Sequence, residues 1–162
     1  MKVSEAEISN MPLNSIKTVA IACDHGGVEM KSALVEMLSK DGYEILDLGT
    51  NQTTSVDYPD YAYELSGALI DGKAFRGVLI CGSGIGISIA ANRFPQIRAA
   101  LIHDALGAKL CREHNNANVI AFGGRTLGIE AARDCLSIFL NTEFEGGRHE
   151  RRVAKLLNPH ST

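Results

Sequence analysis

The sequence places a cysteine directly before a glycine-rich turn, in Cys81-Gly-Ser-Gly-Ile-Gly86. An apolar run precedes this stretch and a helical pattern follows it, so backbone N–H groups of the turn can converge on an anion at a helix N-terminus. A thiol at such a position has a pKa below its usual value of about 8.5, which makes Cys81 a candidate base or nucleophile. A tight turn after a core cysteine is the alternative interpretation.

The spacing of the glycines argues against a dinucleotide site. Gly82, Gly84 and Gly86 form G-x-G-x-G, whereas the dinucleotide fingerprint needs its last glycine where Ile87 stands. We therefore expect no nicotinamide cofactor.

A histidine and two asparagines end a helical pattern at His114-Asn115-Asn116. His114 is a candidate proton donor near neutral pH, because the unperturbed pKa of histidine is about 6.5. The alternative is a histidine that complements the helix dipole, followed by asparagines that stop the helix. Taken alone, this motif fits both interpretations.

The densest basic cluster is Gly146-Gly-Arg-His-Glu-Arg-Arg152. Arg148 and Arg152 are four residues apart, so on a helix they share one face and can close on a single phosphate. A solvated helix face, with Glu150 among the arginines, is the alternative. Arg125, after the glycine pair Gly123-Gly124, is a candidate third guanidinium for the same phosphate.

Apolar runs and helical spacings alternate five times with short connections, which is typical of a parallel sheet covered on both faces. The predicted fold class is a single-domain α/β protein with an open five-stranded parallel sheet, a Rossmann-like three-layer sandwich. Strands are predicted at Thr18–Cys23, Tyr43–Leu48, Gly77–Cys81, Arg98–His103 and Asn118–Phe122. Helices are predicted at Val28–Leu38, Tyr61–Ile70, Asp104–His114, Leu127–Leu140 and Arg148–Leu157, with a short one that ends at Ala91.

Sheets of this kind bind ligands beyond the carboxyl ends of the strands, near a topological switch point. Unusual polar residues fall at these ends in the sequence. They are Asp24 and His25 after the first strand, Cys81 and Ser83 after the third, His103 and Asp104 after the fourth, and Arg125 after the fifth. We therefore expect the functional site at this edge.

The composition limits the classes of partner. With 162 residues, the chain fits one domain, which we place at residues 17–158 after a flexible extension at residues 1–16. A net charge of −3 and the lack of a long apolar run predict neither a nucleic-acid nor a membrane partner. The four cysteines form no C-x-x-C pair and no cluster with zinc spacing, so we expect reduced thiols, no metal and a cytoplasmic protein.

In combination, these motifs resemble the type B ribose-5-phosphate isomerases, which belong to the ribose/galactose isomerase family. The resemblance covers about residues 17–157. It rests on Cys23-Asp-His25, Asp57-Tyr-Pro59, Cys81-Gly-Ser-Gly-Ile-Gly-Ile-Ser-Ile-Ala-Ala-Asn92, His114-Asn115 and Gly146-Gly-Arg-His149. It implies a cofactor-free enzyme that interconverts D-ribose 5-phosphate and D-ribulose 5-phosphate through an enediolate, in the non-oxidative pentose phosphate pathway. It also implies a homodimer, or a tetramer, with active sites shared across the interface.

The resemblance further implies roles for individual residues. Cys81 would take the proton from carbon 2 of the open-chain aldose, while Asp24 and His114 would assist ring opening. Ser83 stands where many members carry threonine, and its hydroxyl would hold the enediolate oxygens. The remaining implied substrate contacts are the backbone amides of Gly82, Gly84, Ile85 and Gly86, Asn115, Tyr58 in the sugar pocket, and His25, Arg125, Arg148 and Arg152 around the phosphate.

Other functions remain open at this point. Galactose-6-phosphate isomerase, a close relative, divides the motifs between two chains, whereas Cys81, His114 and the Gly-Gly-Arg-His motif stand together here and favour a self-sufficient ribose-5-phosphate enzyme. Allose 6-phosphate is a further candidate substrate. A non-catalytic sugar-phosphate binding module would need the glycine turn and the arginines but neither Cys81 nor His114. Redox sensing by Cys81 would lack a resolving cysteine nearby in sequence.

Overall fold

A parallel sheet forms the centre of the protein, whose structure, a computed structural model, describes residues 18–160. The strands in this range are β1 (Thr18–Cys23), β2 (Glu44–Asp47), β3 (Arg76–Cys81), β4 (Ala99–Leu101) and β5 (Val119–Gly123). Their spatial order is β2-β1-β3-β5-β4, and every pair is parallel. The chain leaves β1 toward β2 and returns to the other side at β3, so the switch point lies between β1 and β3.

Helices cover both faces of the sheet. They are α1 (Val28–Lys40), α2 (Tyr58–Ile70), α3 (Ile85–Ala91), α4 (Ala105–Glu113), α5 (Ile129–Asn141) and α6 (Arg148–Leu157). One apolar core joins α1, α4 and α5 to the sheet, and a second core joins α2 and α3 to its other face. Because successive strand residues point to opposite faces, Ile21 belongs to the first core and Ala20 to the second.

Local sequence signals explain where the helices begin and end. Gly42 adopts a φ of +81° after α1, and the N–H of Tyr43 donates to the carbonyl of Leu38 at 3.0 Å, which is the Schellman arrangement. α4 begins after Asp104, whose Oδ1 accepts a hydrogen bond from the N–H of Gly107 at 2.7 Å. Pro59 lies in the first turn of α2, where its missing N–H removes no helical hydrogen bond.

The predicted three-layer fold is confirmed, and the differences are confined to element ends. β4 is three residues long, shorter than the predicted strand at Arg98–His103. α2 starts at Tyr58 rather than Tyr61, because Asp57 is still extended and Pro59 fits the first turn. The extension predicted at residues 1–16 lies outside the described residues. Within residues 18–160, no helix is long and apolar enough to cross a membrane.

One ion pair, between a buried lysine and an exposed aspartate, ties α1 to the end of β2. The Lys31 side chain is 2% exposed, and its Nζ donates to both carboxylate oxygens of Asp47 at 2.8 and 2.7 Å. The same ammonium donates to the Oδ1 of Asn51 at 2.6 Å. A buried ammonium requires such partners, because its desolvation is otherwise uncompensated. This contact therefore fixes the start of the loop that leads to α2.

We predict that Asp47→Ala lowers the free energy of unfolding by about 3 kcal/mol, because it leaves the Lys31 ammonium buried without its counter-ion. The matched control is Glu36→Ala, which breaks the exposed Lys40–Glu36 pair on the same helix and should cost about 0.5 kcal/mol. Urea denaturation of both variants measures the difference. Equal losses in the two variants would show that the buried pair contributes no more than a surface pair.

Candidate functional site

The first group of candidate residues lies at the carboxyl edge, the edge of the sheet where the parallel strands end. The loops after β1 and β3 meet there: the N–H of Asp24 donates to the carbonyl of Ile80 at 3.1 Å. A Cβ added to Gly26 would lie 3.0 Å from the backbone nitrogen of Gly82, so the two loops are in close contact. This is the crevice at the switch point where such sheets bind ligands.

Cys81 ends β3 and is 4% exposed. The N–H of Gly84 donates to its sulfur at 3.1 Å, and the oxygen of Ser83 accepts from the N–H of Ile85 at 3.3 Å. Gly84 has a φ of +75°, and a Cβ there would meet the Leu101 side chain at 2.6 Å. Glycine is therefore required at this position, because both the backbone angle and the space exclude a side chain. The turn therefore directs the amide of Gly84 at the thiol.

Asp24 and His25 are oriented by backbone contacts. The Oδ1 of Asp24 accepts the N–H of Gly26 at 2.8 Å, which closes an Asx-turn after β1. The Nδ1 of His25 accepts the N–H of Val56 at 3.2 Å. In the neutral imidazole the proton therefore resides on Nε2, which leaves His25 a donor for a ligand at the carboxyl edge.

Arg125 and Tyr58 complete the group at the carboxyl edge. The N–H of Arg125 donates to the carbonyl of Gly82 at 2.9 Å, and its guanidinium lies 3.4 Å from the position of a Cβ added to Gly82. The ring of Tyr58 lies over Gly86, where an added Cβ would be 2.6 Å from the ring. Both side chains thus border the glycine turn that follows Cys81.

The second group lies elsewhere, around the end of α4. His114 follows α4, and its ring stacks on that of His149, with 4.3 Å between centroids and 12° between planes. A cavity of about 320 Å³ is lined by this histidine pair together with Asn115, Arg152, Val153 and Leu156. Arg148 precedes His149, and its Nε lies 3.4 Å from the Nε2 of that histidine.

Hydrogen bonds between side chains and the backbone place this second group at the amino edge, where the strands begin. The carbonyl of Asn116 accepts from the Nε of Arg98, which precedes β4, at 2.7 Å. The N–H of Arg98 donates to the Oδ1 of Asn118, which precedes β5, at 2.8 Å. α4 starts beside the carboxyl edge, and its nine residues rise about 14 Å toward the amino edge. The structure therefore does not bring His114 to Cys81 within one chain.

Sequence reasoning missed two residues of the second group. His149 is 5% exposed and is buried against His114. The sequence identifies it only as part of the Gly146-Gly-Arg-His149 motif and assigns it no role. Glu145 was not considered, yet its Oε2 lies 3.4 Å from the Nε2 of His149 and 4.0 Å from that of His114. The sequence signal that could have identified this pair is its spacing, because Glu145 and His149 are four residues apart and their side chains can meet at the start of a helix.

The other cysteines and the strand-end acid Asp104 are structural. Burial raises the pKa of Cys23 to about 12 and that of Cys111 to about 11, and it also raises the pKa of Cys135. All three thiols are buried in the first apolar core, where they pack as core residues. Asp104 is the N-cap of α4.

His114, Glu145 and His149 also have the donor types of a metal site, and their ligand atoms lie within 4.8 Å of one another. Two features oppose a bound cation at this cluster. The imidazole planes are nearly parallel, so their lone pairs do not converge on one point. The guanidinium of Arg148 also contacts His149. The donor set therefore fits a proton-carrying group better than a metal centre.

Comparisons with known proteins agree with the fold and with the motifs. The family model described as Ribose/Galactose Isomerase matches residues 19–156. Ribose-5-phosphate isomerase B of Escherichia coli is 44% identical over 138 residues, which are 85% of this chain and 93% of that protein. D-erythrulose-4-phosphate isomerase of Pectobacterium atrosepticum is 40% identical over 140 residues, which are 86% of this chain and 92% of that protein.

A solved structure, that of ribose-5-phosphate isomerase B from Clostridium thermocellum, superposes with a TM-score of 0.86 at 44% identity. The match covers 88% of this chain and 96% of that one. The family model thus spans β1 to α6, including both groups of candidate residues. Sequence, fold and motifs together establish that this chain belongs to the ribose/galactose isomerase family.

Proposed function

We propose that this protein interconverts D-ribose 5-phosphate and D-ribulose 5-phosphate through an enediolate. The observation that carries the proposal is the arrangement at Cys81. Its sulfur accepts the N–H of Gly84 at the switch-point crevice, beside Asp24 and the Arg125 guanidinium. Relatives named for this activity share 44% of their residues with this chain over most of its length.

In the proposed mechanism, Asp24 and His114 assist opening of the furanose ring. Cys81 then removes the proton from carbon 2 of the aldose, which gives an enediolate, and returns that proton to carbon 1. The proton of the carbon 2 hydroxyl passes to the oxygen on carbon 1, so that carbon 2 becomes the carbonyl of the ketose. Fixed donors aimed at the developing oxyanion are worth about 2.7–4 kcal/mol each. The hydroxyl of Ser83 and the amides of the Gly82–Gly86 turn supply these donors.

The proposed working unit is a homodimer in which each site takes residues from both chains. The carboxyl edge of one chain supplies Cys81 and Arg125, and the amino edge of its partner supplies His114, Asn115 and the arginines of α6. This sharing follows from the separation of the two groups in one chain. The phosphate is held by His25 and Arg125 from one chain and by Arg148 and Arg152 from the other.

We further propose that the protein acts in the cytoplasm on carbohydrate phosphates. All four of its cysteines are free thiols, as a reducing compartment requires. Ribose 5-phosphate is the primary substrate, and allose 6-phosphate is a second candidate. The relative named for D-erythrulose 4-phosphate shows that sugar length varies within the family, so turnover should be compared on four-, five- and six-carbon substrates.

Cys81→Ala should lower kcat on ribose 5-phosphate by about 10²–10⁴-fold, the usual contribution of a positioned acid or base. Binding of ribitol 5-phosphate, measured by calorimetry, should persist, because this substitution leaves the phosphate contacts in place. Cys135→Ala, a second buried cysteine, is the matched control and should keep the wild-type kcat. Wild-type turnover in Cys81→Ala would contradict the role of this thiol as the base. An inactive wild type that still binds ribitol 5-phosphate would instead favour a binding module.

Dialysis against EDTA should leave turnover unchanged, because proton transfer between adjacent carbons needs only a base, a donor and fixed oxyanion contacts. The assay is the rate on ribose 5-phosphate before and after chelation, with trace metal measured in the same samples. A loss of rate that zinc restores would instead assign a metal to His114, Glu145 and His149.

Mixing the Cys81→Ala and Arg152→Ala variants tests the shared site. If each site takes Cys81 from one chain and Arg152 from its partner, a mixed dimer has one doubly altered site and one intact site. Random exchange should then restore about a quarter of the wild-type rate, measured at substrate far below KM. The control mixture of Cys81→Ala with Arg125→Ala should show no recovery, because both residues lie at the same edge of one chain.

Mass spectrometry of the intact dimers confirms that exchange has occurred. Absence of recovery in confirmed mixed dimers of Cys81→Ala and Arg152→Ala would mean that Arg152 serves its own chain or no site. Arg152→Ala alone should raise KM for ribose 5-phosphate while changing any weak rate on unphosphorylated ribose little, because the phosphate contact is what it loses.

A further inference from the structure

His149 is buried directly behind the proposed proton donor. Of the described residues of α6, His149 alone is buried, with 5% of its surface exposed. Its ring lies parallel to that of His114, 4.3 Å away between centroids. The rest of α6 is exposed or partly exposed. The start of this helix is therefore held against the end of α4 through a stack of two imidazoles.

Glu145 is fixed next to both rings. Its N–H donates to the carbonyl of Glu113, the last residue of α4, at 3.1 Å. Its Oε2 faces the Nε2 of His149 at 3.4 Å and the Nε2 of His114 at 4.0 Å. The backbone hydrogen bond thus fixes the main chain of Glu145 beside the two rings, and its side chain reaches their Nε2 atoms. Glu145 is the nearest counter-charge for a protonated His114.

Burial and the charged neighbours of His149 together keep this ring neutral. Burial lowers the pKa of His149, and the adjacent His114, Arg148 and Arg152 lower it further, while Glu145 opposes them. Because its pKa lies below the ordinary histidine value of 6.5, His149 is mainly neutral at pH 7. Because a neutral ring does not repel a cationic one, the stack tolerates protonation of His114.

We propose that His149 is a positioning residue that, together with Glu145, holds the imidazole of His114 in the orientation from which it acts on substrate. The inference rests on the proposed role of His114 in ring opening. His149 itself touches no substrate atom in this account. It restrains rotation of the His114 ring from one side, while Glu145 interacts with the Nε2 at its edge. The stack also explains why a histidine is buried at the start of an otherwise exposed helix.

A double-mutant cycle between His114 and His149 tests the proposal. His149→Ala should lower kcat on ribose 5-phosphate about 10-fold and change KM less than about 2-fold, because orientation of the donor and not phosphate binding is lost. In the His114→Ala background, His149→Ala should cause no further loss of kcat, because its effect passes through the His114 ring. Additive losses would overturn the proposal and would indicate a purely structural histidine.

His149→Phe separates the stack from the nitrogen chemistry and guards against a folding defect in His149→Ala. Phenylalanine keeps a flat ring against His114, so this variant should recover most of the wild-type kcat. A Phe variant as slow as the Ala variant, with wild-type melting temperature and dimer mass, would overturn the role of stacking. A rise in KM without a fall in kcat would also overturn it, since the arginines of α6 would then be what His149 positions.

Glu145→Gln tests the carboxylate, with Glu150→Gln as its matched control on the exposed surface of α6. Glu145→Gln should lower kcat several-fold and Glu150→Gln should not. Equal effects of the two substitutions would show that Glu145 does not help to hold the His114 ring. Failure of the underlying function gives a different result: His114→Ala would keep full turnover, or the wild type would not isomerise ribose 5-phosphate. If His114→Ala lowers kcat strongly and His149→Ala lowers it further in that background, only the positioning role of His149 is overturned.

Discussion

Parallel strand pairing is the constraint on which the rest of this structure depends. Each parallel strand must be followed by a segment that returns across the face of the sheet before the next strand begins. The strand ends therefore collect at one edge, while the return helices end at the other. β1, β3 and β5 are buried along most of their length, so their polar neighbours can reach a ligand only from these two edges.

This constraint separates the candidate functional residues of one chain into two groups. Cys81 follows a strand and lies at the carboxyl edge, whereas His114 follows a helix and lies at the amino edge. A nine-residue helix spans about 14 Å, a gap that no side-chain rotation closes. In the proposed homodimer, the carboxyl edge of each chain faces the amino edge of its partner, which joins the two groups.

The loops at each edge are held by different means. At the carboxyl edge, the turns after β1 and β3 lie so close that a Cβ on Gly26 would be 3.0 Å from the backbone nitrogen of Gly82, and backbone hydrogen bonds fix the polar groups. At the amino edge, side chains hold the backbone: the buried guanidinium of Arg112 donates to the carbonyls of Thr142 and Ala117. This contact joins the end of α4 to the segment that leads into α6, and it places Glu145 and His149 beside His114.

The sequence by itself determined the elements, their parallel arrangement and the chemical character of Cys81, His114 and the arginines. Local signals were enough because apolar periodicity, glycine stops and the Asp104 cap act within a few residues of the chain. The predicted start of α2 and the predicted length of β4 were wrong. Pro59 fits a loop as well as a first helical turn, and a three-residue edge strand has a weak sequence signal. Only the tertiary structure decided that Cys81 and His114 lie at opposite edges, and that His149 is buried while Arg152 is exposed. Those facts depend on contacts between residues far apart in sequence, such as that between Glu145 and Glu113, which no local pattern encodes.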